Sequence, residues 1–341
     1  MATTRSSAIS GTEVLRRGAE EVDGPLRAAV ARLPGSLRAG AGFHFGWLDA
    51  AGTEISAAPG KRVRPAFVLA AARAVGGGSD SAVRAGVAVE LVHNFSLVHD
   101  DVMDADRTRR GRPTVWAQYG VPYAILLGDA MLALANRVLT QDGLPGAAAL
   151  CAELNSAVVA LCLGQRLDMD FEEHLLISPD DYLEMASGKT AALLSGSCVL
   201  GAMASGAGSG RLAALRRFGH HVGLAFQLVD DVLGIFGDPK VTGKPAGADL
   251  LRYKKSMPVL AATGSGSAAG EQVAELYRTR TITHDRLGHA ADLVARAGGR
   301  EWTEAEARRQ LRSALRCLDE AGVDPDGELG ALADLVANRN R

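Results

Sequence analysis

The sequence predicts an all-α protein made of packed helices, and three observations support that prediction. Apolar residues recur at three- and four-residue spacing between about residue 12 and residue 335, as in Leu91, Phe95 and Val98, which is the period of a helix with one buried face. Alanine and leucine are abundant, whereas runs of β-branched residues are few. The alternation of apolar and polar residues that marks a half-buried strand is absent from the sequence.

Turn-forming residues divide this pattern into successive helices. Ser178 followed by Pro179 is typical of the first residues of a helix. No break between helices is typical of an interdomain linker, so we predict one domain over 1–341, with about 1–11 flexible. Glycine, proline and capping residues mark the predicted breaks, which lie at 57–60, 76–78, 108–113, 178–181, 206–210, 237–247 and 264–270.

The charge balance and the apolar patterning exclude several classes of protein. The 341 residues carry 37 basic and 39 acidic side chains, a formal net charge of −2, which excludes a polycationic nucleic-acid binder. The N-terminus lacks the apolar run of a secretory signal, and the longest uncharged apolar stretch, 191–210, is diluted by serine and glycine. We therefore predict a cytoplasmic protein with no nucleic-acid partner and no membrane span, whose four cysteines are reduced and buried.

The first acidic cluster follows a strongly periodic apolar segment. Asp100, Asp101 and Asp104 come directly after 91–98 and continue its predicted helix. Asp100 and Asp104 are four residues apart, so they share a helix face about 6 Å apart along the axis. Paired carboxylates of this kind suit Mg²⁺, which prefers oxygen ligands and often shares them with phosphates. A solvated acidic helix end remains the alternative.

Two further acidic segments make that alternative less favoured. Asp230 and Asp231 follow the apolar run 222–229, with Gln227 just before them, and Asp168 ends the segment that begins with Gly164. Two aspartate pairs, each at the polar end of an apolar helix, would need several cations if they faced one cavity. Such a cavity would suit a polyanionic ligand.

Basic residues stand beside the acidic segments. Lys61 and Arg64 are three residues apart at the start of a predicted helix, where backbone amides also favour phosphate. Arg109 and Arg110 follow the first aspartate cluster closely. Together with the lysines at 189, 244, 254 and 255, these side chains indicate a diphosphate site in which Mg²⁺ bridges carboxylate and phosphate.

In this order the motifs resemble those of the trans-isoprenyl diphosphate synthase family, of the farnesyl/geranylgeranyl diphosphate synthase type. The resemblance implies an all-α isoprenoid synthase bundle around a central active-site cavity, usually as a homodimer. It implies condensation of isopentenyl diphosphate with an allylic diphosphate, with three Mg²⁺ ions. The matching motifs are Gly60-Lys61-x-x-Arg64-Pro65, His93, Asp100-Asp101-x-x-Asp104, Arg109-Arg110-Gly111, Gly164-Gln165-x-x-Asp168, Lys189-Thr190, Phe226-Gln227-x-x-Asp230-Asp231, Gly243-Lys244-Pro245 and Lys254-Lys255.

The resemblance also assigns a role to each matching residue. Metal binding falls to Asp100, Asp104 and Asp230, with support from Asp101, Asp168 and Asp231. The isopentenyl diphosphate is held by Lys61, Arg64, His93 and Arg110. The allylic diphosphate is held by Arg109, Lys189, Gln227, Lys244 and one of Lys254 and Lys255, while Thr190 and Gln227 stabilise the allylic cation.

One position departs from the family pattern. The second aspartate motif usually ends in a third aspartate, and that position is Gly234 in this chain. Because the first two aspartates are kept, we expect the metal to bind with weaker outer support.

Product length depends on the cavity floor in this family. Phe95 lies five residues before Asp100, about 7.5 Å earlier along the helix axis. An aromatic residue here, without a two-residue insertion in the aspartate motif, resembles geranylgeranyl-type enzymes. We predict a C20 product, and a C15 product as the next choice; Phe95 as a simple core residue is the alternative.

Two other functions share part of this pattern. A class I terpene cyclase has the same fold and first aspartate motif, but it needs no second diphosphate site and usually carries an Asn/Ser/Glu metal triad, which is absent here. A non-catalytic subunit of a heteromeric synthase often loses an aspartate cluster, and both clusters survive in this chain.

Overall fold

Helices dominate the computed structural model, which describes residues 9–55, 60–78, 80–144, 146–173, 177–238 and 247–337. The prediction of an all-α fold is confirmed. Lys244 and residues 1–8 of the predicted flexible N-terminus lie outside the described residues. The helices are α1 Gly11–Val30, α2 Gly35–Phe45, α3 Val63–Ala74, α4 Asp80–Met103, α5 Val115–Tyr119, α6 Val121–Thr140, α7 Ala147–Glu173, α8 Pro179–Ala186, α9 Ala192–Ala204, α10 Ser209–Phe236, α11 Ala248–Leu251, α12 Met257–Thr263, α13 Ala268–Thr279, α14 Leu287–Arg296, α15 Gly299–Glu320 and α16 Glu328–Ala337.

The helices group into two compact units. The first comprises Met1–Val158, Gly196–Arg216 and Ala321–Leu332, and the second comprises Val159–Ser195, Arg217–Glu320 and Ala333–Arg341. Helices α7, α9, α10 and α16 contribute residues to both units. The single domain over 1–341 stays a prediction.

The core of the first unit forms around α3 and α4. Helix α4 packs along α6 on one side and against α1 and α3 on the other, and Phe67, Leu91 and Leu127 are fully buried between these helices. Burial of one such side chain contributes about 1.5–3 kcal/mol. This packing fixes α4, whose C-terminal end carries the first aspartate cluster.

The predicted turn at 108–113 is a small hairpin instead of an unstructured turn. Strands β1 Thr108–Arg109 and β2 Arg112–Pro113 pair antiparallel. Arg110 and Gly111 form the tip with φ of 52° and 72°, and positive φ at both central residues matches the twist of a two-residue hairpin. The hairpin directs Arg109 back toward the end of α4.

The core of the second unit packs against the C-terminal half of α10. Tyr182 and Met185 of α8 join Leu224, Leu228 and Met257 in one buried cluster. A second cluster joins α10 to α11, α12, α13 and α14, through residues that include Ile235, Leu250, Val259, Val273 and Leu293. These contacts hold α8, α10 and α11 around the second aspartate cluster.

The predicted start of α8 at Ser178 is confirmed by a reciprocal cap. The Ser178 hydroxyl accepts a hydrogen bond from the Asp181 amide at 3.1 Å, and the Asp181 carboxylate accepts one from the Ser178 amide at 3.1 Å. Two otherwise unpaired amides are satisfied in this way. Between α8 and α9 the chain forms one π-helical turn, Ser187–Ala191, named the π-turn below.

Helices α6 and α7 are the most apolar long helices of the described chain. By length and composition alone, Val121–Thr140 and Ala147–Phe171 could each cross a membrane, a test that the core helices of soluble proteins also pass. The absence of a membrane span therefore stays a prediction. All four cysteines are free thiols, but the expectation that all are buried is wrong for Cys162, which is exposed, and for Cys151, which is half-buried.

Candidate active site

The first aspartate cluster forms the last turn of α4. The Asp104 amide donates a hydrogen bond to the Asp100 carbonyl at 2.8 Å, so the helix continues through the motif as predicted. Asp100 is half-buried and Asp104 is exposed. The two carboxylates therefore share one accessible helix face, as a shared metal site requires.

Asp101 points the other way and anchors the hairpin. It is 1% exposed and its Oδ1 accepts a hydrogen bond from Nε of Arg109 at 2.8 Å, while Nη2 of the same guanidinium forms an ion pair with that oxygen at 2.8 Å. Burial raises the pKa of Asp101, and the Arg109 guanidinium opposes that rise. Asp101 thus positions Arg109. To bind a diphosphate as predicted, the Arg109 guanidinium would have to share its N–H donors between Asp101 and the phosphate oxygens.

A cluster of cations lies beside this helix end in the same unit. The Arg64 guanidinium donates to His93 Nε2 at 3.2 Å, and the Arg110 guanidinium lies against Gly60, where an added Cβ would stand 2.8 Å from Nη1. Burial and the charges of Arg64 and Arg110 hold the pKa of His93 well below its usual range. Lys61 is exposed at the start of α3. Arg64, His93 and Arg110 therefore lie close together, next to the segment that carries Lys61.

Buried polar residues support this cluster from below, and sequence patterns did not indicate them. Asn94 donates to Glu90 Oε1 at 3.0 Å and accepts from His44 Nε2 at 3.0 Å. Burial lowers the pKa of His44 to about 3 and raises that of Glu90. The positive charges of Arg62, Arg64 and Arg110 oppose the rise for Glu90.

Arg62 turns the chain into α3 in a strained conformation. Its φ is 45°, which costs a non-glycine residue about 1–2 kcal/mol. The side chain is buried and forms an ion pair with Asp23 of α1, which offsets this cost. Arg62 is thus a structural member of the motif that also contains Lys61 and Arg64.

Phe95 lies in the buried face of α4, as predicted. It is 6% exposed and meets the ring of His99 edge to face, with centroids 5.6 Å apart. The His99 ring rests on α6 at Gly128, where an added Cβ would stand 2.1 Å from Nε2. Gly128 thus makes room for the ring that holds Phe95.

The second aspartate cluster lies on α10 with its two carboxylates in different surroundings. Asp230 is exposed, and Asp231 is 1% exposed. Asp231 accepts hydrogen bonds from the Tyr182 hydroxyl and from the Met257 amide, the latter at 2.9 Å. Burial raises the pKa of Asp231 to about 6, against the opposing charge of Lys254. Asp231 therefore ties α8, α10 and α12 together, whereas Asp230 is accessible to a ligand.

Thr190 and Gln227 form an ordered polar pair. The Thr190 hydroxyl donates to Gln227 Oε1 at 2.6 Å, and Gln227 Nε2 donates to Asp231 at 3.0 Å. Each group has a fixed hydrogen-bond partner, so the dipoles of the threonine and the amide are held in one orientation.

The π-turn places Lys189 beside α7. The Lys189 ammonium forms an ion pair with Asp168. The approach is close because Gly164 faces the π-turn: an added Cβ would stand 2.0 Å from the Lys189 amide nitrogen. The glycine and the aspartate of the Gly164–Asp168 motif therefore act together, one admitting the π-turn and the other pairing with its lysine. Single π-turns inside helices are frequent at functional sites.

The structure separates the two adjacent lysines. The Lys255 ammonium donates to the Phe171 carbonyl, so it is used in packing. Burial by itself would lower the pKa of Lys254, but the carboxylates of Asp231, Asp249, Asp168 and Asp230 raise it above its ordinary value. Lys254 is thus the member of the pair that lies among the predicted metal-binding carboxylates.

These residues fit Mg²⁺ that is shared with a diphosphate. Within the ranges that the structure describes, no three histidine, cysteine or acidic side chains are grouped so that they could hold a metal ion by themselves. Mg²⁺ usually keeps several waters and is bound by one or two carboxylates plus substrate phosphates. Each unit offers such oxygen donors: half-buried Asp100 and exposed Asp104 in the first, and exposed Asp230 in the second.

Comparison with known proteins identifies one family that this chain resembles. The polyprenyl synthetase family model matches residues 45–294. A geranylgeranyl diphosphate synthase of Mycobacterium tuberculosis is 44% identical over 96% of this chain and 94% of its own. A (2E,6E)-farnesyl diphosphate synthase of Mycobacterium bovis is 42% identical over 96% of this chain and 92% of its own.

Solved structures agree with the sequence matches. A polyprenyl synthetase from Streptomyces coelicolor A3(2) superposes with a TM-score of 0.91 at 42% identity, over 95% of this chain and 99% of that one. A geranylgeranyl pyrophosphate synthase from Corynebacterium glutamicum, solved with isoprenyl diphosphate and magnesium, gives 0.77 at 27% identity, over 98% of this chain and all of that one. The cyclase and partner-subunit alternatives are not favoured. The chain belongs to the polyprenyl synthetase family, and it is a prenyltransferase.

Proposed function

We propose that this chain condenses isopentenyl diphosphate with an allylic diphosphate in a Mg²⁺-dependent reaction and releases geranylgeranyl diphosphate. The observation that supports condensation most strongly is the cation cluster of Lys61, Arg64 and Arg110. It lies in the same unit as the carboxylate face of Asp100 and Asp104 but is distinct from it. A cyclase needs one diphosphate site, whereas a condensing enzyme needs one cationic site for each of its two substrates.

The reaction has three bond changes. The bond between C1 and oxygen of the allylic diphosphate breaks, and its electron pair leaves with the diphosphate. The double bond of isopentenyl diphosphate then attacks C1, and the resulting cation loses a proton to the departed diphosphate. When bound, Mg²⁺ would neutralise the charge that grows on the leaving group.

The residues of the chain contribute fixed electrostatics to these changes. Lys189 and Lys254 carry positive charge beside the carboxylates, where it stabilises the leaving diphosphate most as the bond breaks. The oxygen dipoles of Thr190 and Gln227 are held in place and can stabilise the allylic cation. Asp231 positions Gln227 through the hydrogen bond described above.

Dependence on both substrates tests the proposed reaction. We expect product from radiolabelled isopentenyl diphosphate only when an allylic diphosphate and Mg²⁺ are both present, and none after chelation with EDTA. We also propose that three Mg²⁺ ions bind per chain with a diphosphate. Calorimetric titration of Mg²⁺ into the chain, with inorganic pyrophosphate present, measures that number. A cyclic hydrocarbon formed from geranylgeranyl diphosphate alone would contradict the proposed reaction.

The C20 product is the finer part of the proposal, because the two relatives named above make C20 and C15 products by name. Phe95 is buried and held by His99 and Gly128, as a fixed floor of a cavity would be. Phe95→Ala should lengthen the product beyond C20, measured by chromatography of the dephosphorylated prenols. Phe67→Ala is the matched control, since it also removes a buried ring and should leave the length unchanged. Unchanged length in Phe95→Ala would refute this role.

We propose that the protein is a homodimer through α6 and α7. On α6, Ile125 and Leu126 are 44% and 61% exposed; on α7, Val159 and Leu163 are 70% and 56% exposed. Val159 and Leu163 are four residues apart and share a helix face. Exposed aliphatic side chains on otherwise packed helices are typical of a covered surface, and a second copy presents the same side chains.

Charge placed on these faces tests the dimer. Leu126→Asp and Val159→Asp should each give monomers in light scattering after gel filtration, because pairing would bury an unpaired carboxylate. Ile55→Asp is the control, since Ile55 is also partly exposed, at 37%, but lies on neither helix. A dimer that persists in both helix variants would contradict the proposed surface.

We also propose a cytoplasmic location, supported by the four free thiols, which are typical of a reducing compartment. Cell fractionation with a tagged chain tests it, and recovery in the membrane fraction would oppose it.

A further inference from the structure

Gly234 leaves a space on α10 that the second aspartate motif of the family normally fills. It lies four residues after Asp230, so a side chain at this position would share the helix face of Asp230. A Cβ added to Gly234 would stand 2.0 Å from Oδ2 and 2.6 Å from Cγ of Asp249. A carboxylate delivered by another element therefore occupies the space above Gly234.

The surrounding packing holds Asp249 in this place. It lies in α11, which packs against α14, and the next residue, Leu250, is fully buried in the cluster that also contains Ile235 of α10. The Asp249 carbonyl accepts a hydrogen bond from the Lys254 amide at 2.9 Å. The next residue and the backbone of Asp249 itself are therefore held in place.

The charge of Asp249 is part of the same group as the predicted metal-binding residues. It is one of four carboxylates that act on the Lys254 ammonium, and Asp230 is another. A carboxylate beside a metal ligand usually fixes the ligand or the water bound to the ion, which strengthens metal binding. Alternatively, Asp249 could serve only to neutralise the charge of Lys254, which would be a structural role. The structural role and the metal-supporting role predict different results for Mg²⁺ binding.

We propose that Asp249 replaces the missing third aspartate, as a positioning residue for the Mg²⁺ and diphosphate that bind at Asp230. This inference rests on the proposed function. On this proposal the outer support on this side is kept, because the carboxylate is supplied by α11 in place of α10.

The test exchanges the carboxylate between the two elements and measures binding without turnover. The probes are MgCl₂ and inorganic pyrophosphate, followed by calorimetry and by the shift in melting temperature. Asp249→Asn should weaken Mg²⁺-dependent pyrophosphate binding by about 10–100-fold. Gly234→Asp should also weaken it, because the new side chain meets the Asp249 carboxylate. The double variant Gly234→Asp/Asp249→Ala, in which the clashing atoms of residue 249 are removed, should return to within a few-fold of the original chain.

The controls separate this inference from its alternatives. Asp292→Asn removes an exposed carboxylate from α14 in the same unit and should bind as the original chain does. If Asp249→Asn does not fold, Asp249→Ser removes the same charge. Unchanged Mg²⁺ dependence in the Asp249 variant, or no recovery in the double variant, would overturn the role of Asp249. Absence of Mg²⁺-dependent pyrophosphate binding in the original chain would instead overturn the proposed function together with it.

Discussion

Asp104→Asn should lower kcat/KM by on the order of 10³-fold while leaving the fold intact. The change keeps the shape of an exposed side chain at the end of α4 but removes one negative oxygen of the face shared with Asp100. Metal-assisted charge stabilisation supplies several kcal/mol, and each loss of about 1.36 kcal/mol costs a factor of ten in rate. Steady-state kinetics over a range of Mg²⁺ concentrations measure the effect, and added Mg²⁺ should recover part of the activity.

A control on the same helix makes this result specific. Asp80→Asn alters an exposed carboxylate in the first turn of α4, far from the aspartate motif, and should keep full activity. Circular dichroism and melting temperature check that both variants fold. Asp104→Asn with activity within tenfold of the original chain would contradict metal binding at this face.

Gly164→Ala should reduce kcat/KM by about 100-fold or more, although it adds only one methyl group. The new Cβ would stand 2.0 Å from the Lys189 amide nitrogen and 2.6 Å from the Gly188 carbonyl carbon, so the backbone of the π-turn must move. A displacement of about 1 Å of catalytic groups can cost 100-fold in rate, and overpacking costs about 1–3 kcal/mol of stability. Kinetics and calorimetric unfolding measure the two effects.

Gly288→Ala is the matched control for this change. Gly288 also lies inside a helix, α14, and an added Cβ there would meet nothing within 4 Å. We expect unchanged activity and a stability equal to or up to about 1 kcal/mol greater, since alanine favours a helix. Full activity in Gly164→Ala would show that the π-turn does not position Lys189 for the reaction.

Sequence patterns predicted those parts of the site that depend on local structure. Helical spacing placed Asp100 and Asp104 on one face, and the order Ser178-Pro179 located the start of α8; the structure confirms both arrangements. The motif of Gly164 was recognised by resemblance, but its physical reason appears only in the contact with the π-turn. That contact joins residues far apart in the chain, so no local pattern could reveal it.

Tertiary contacts decided the remaining features. Lys254 and Lys255 are adjacent in the sequence, which does not distinguish them. In the structure, Lys255 donates a hydrogen bond to a backbone carbonyl, whereas Lys254 feels the charge of four carboxylates. Tyr182 was missed because a tyrosine inside an apolar helix pattern gives no sign that its hydroxyl will meet Asp231. Asp249 was missed because its proposed role depends on the lack of a side chain at Gly234, on another helix.

The carboxylates of the two aspartate clusters differ in burial and in what they contact. Asp101 and Asp231 are buried and hold other groups in position, whereas Asp104 and Asp230 are exposed. In each Asp-Asp pair, the second residue is therefore buried and used in the fold, whereas the first, Asp100 or Asp230, is more accessible.

Product analysis with defined primers tests the central claim most directly. The purified chain is incubated with isopentenyl diphosphate and, in turn, the C5, C10 and C15 allylic diphosphates, each with Mg²⁺ and with EDTA. The account predicts linear C20 geranylgeranyl diphosphate as the final product from every primer that is accepted, and no product with EDTA. A final product that stops at C15 or extends beyond C20, or any product formed without a divalent cation, would contradict the account.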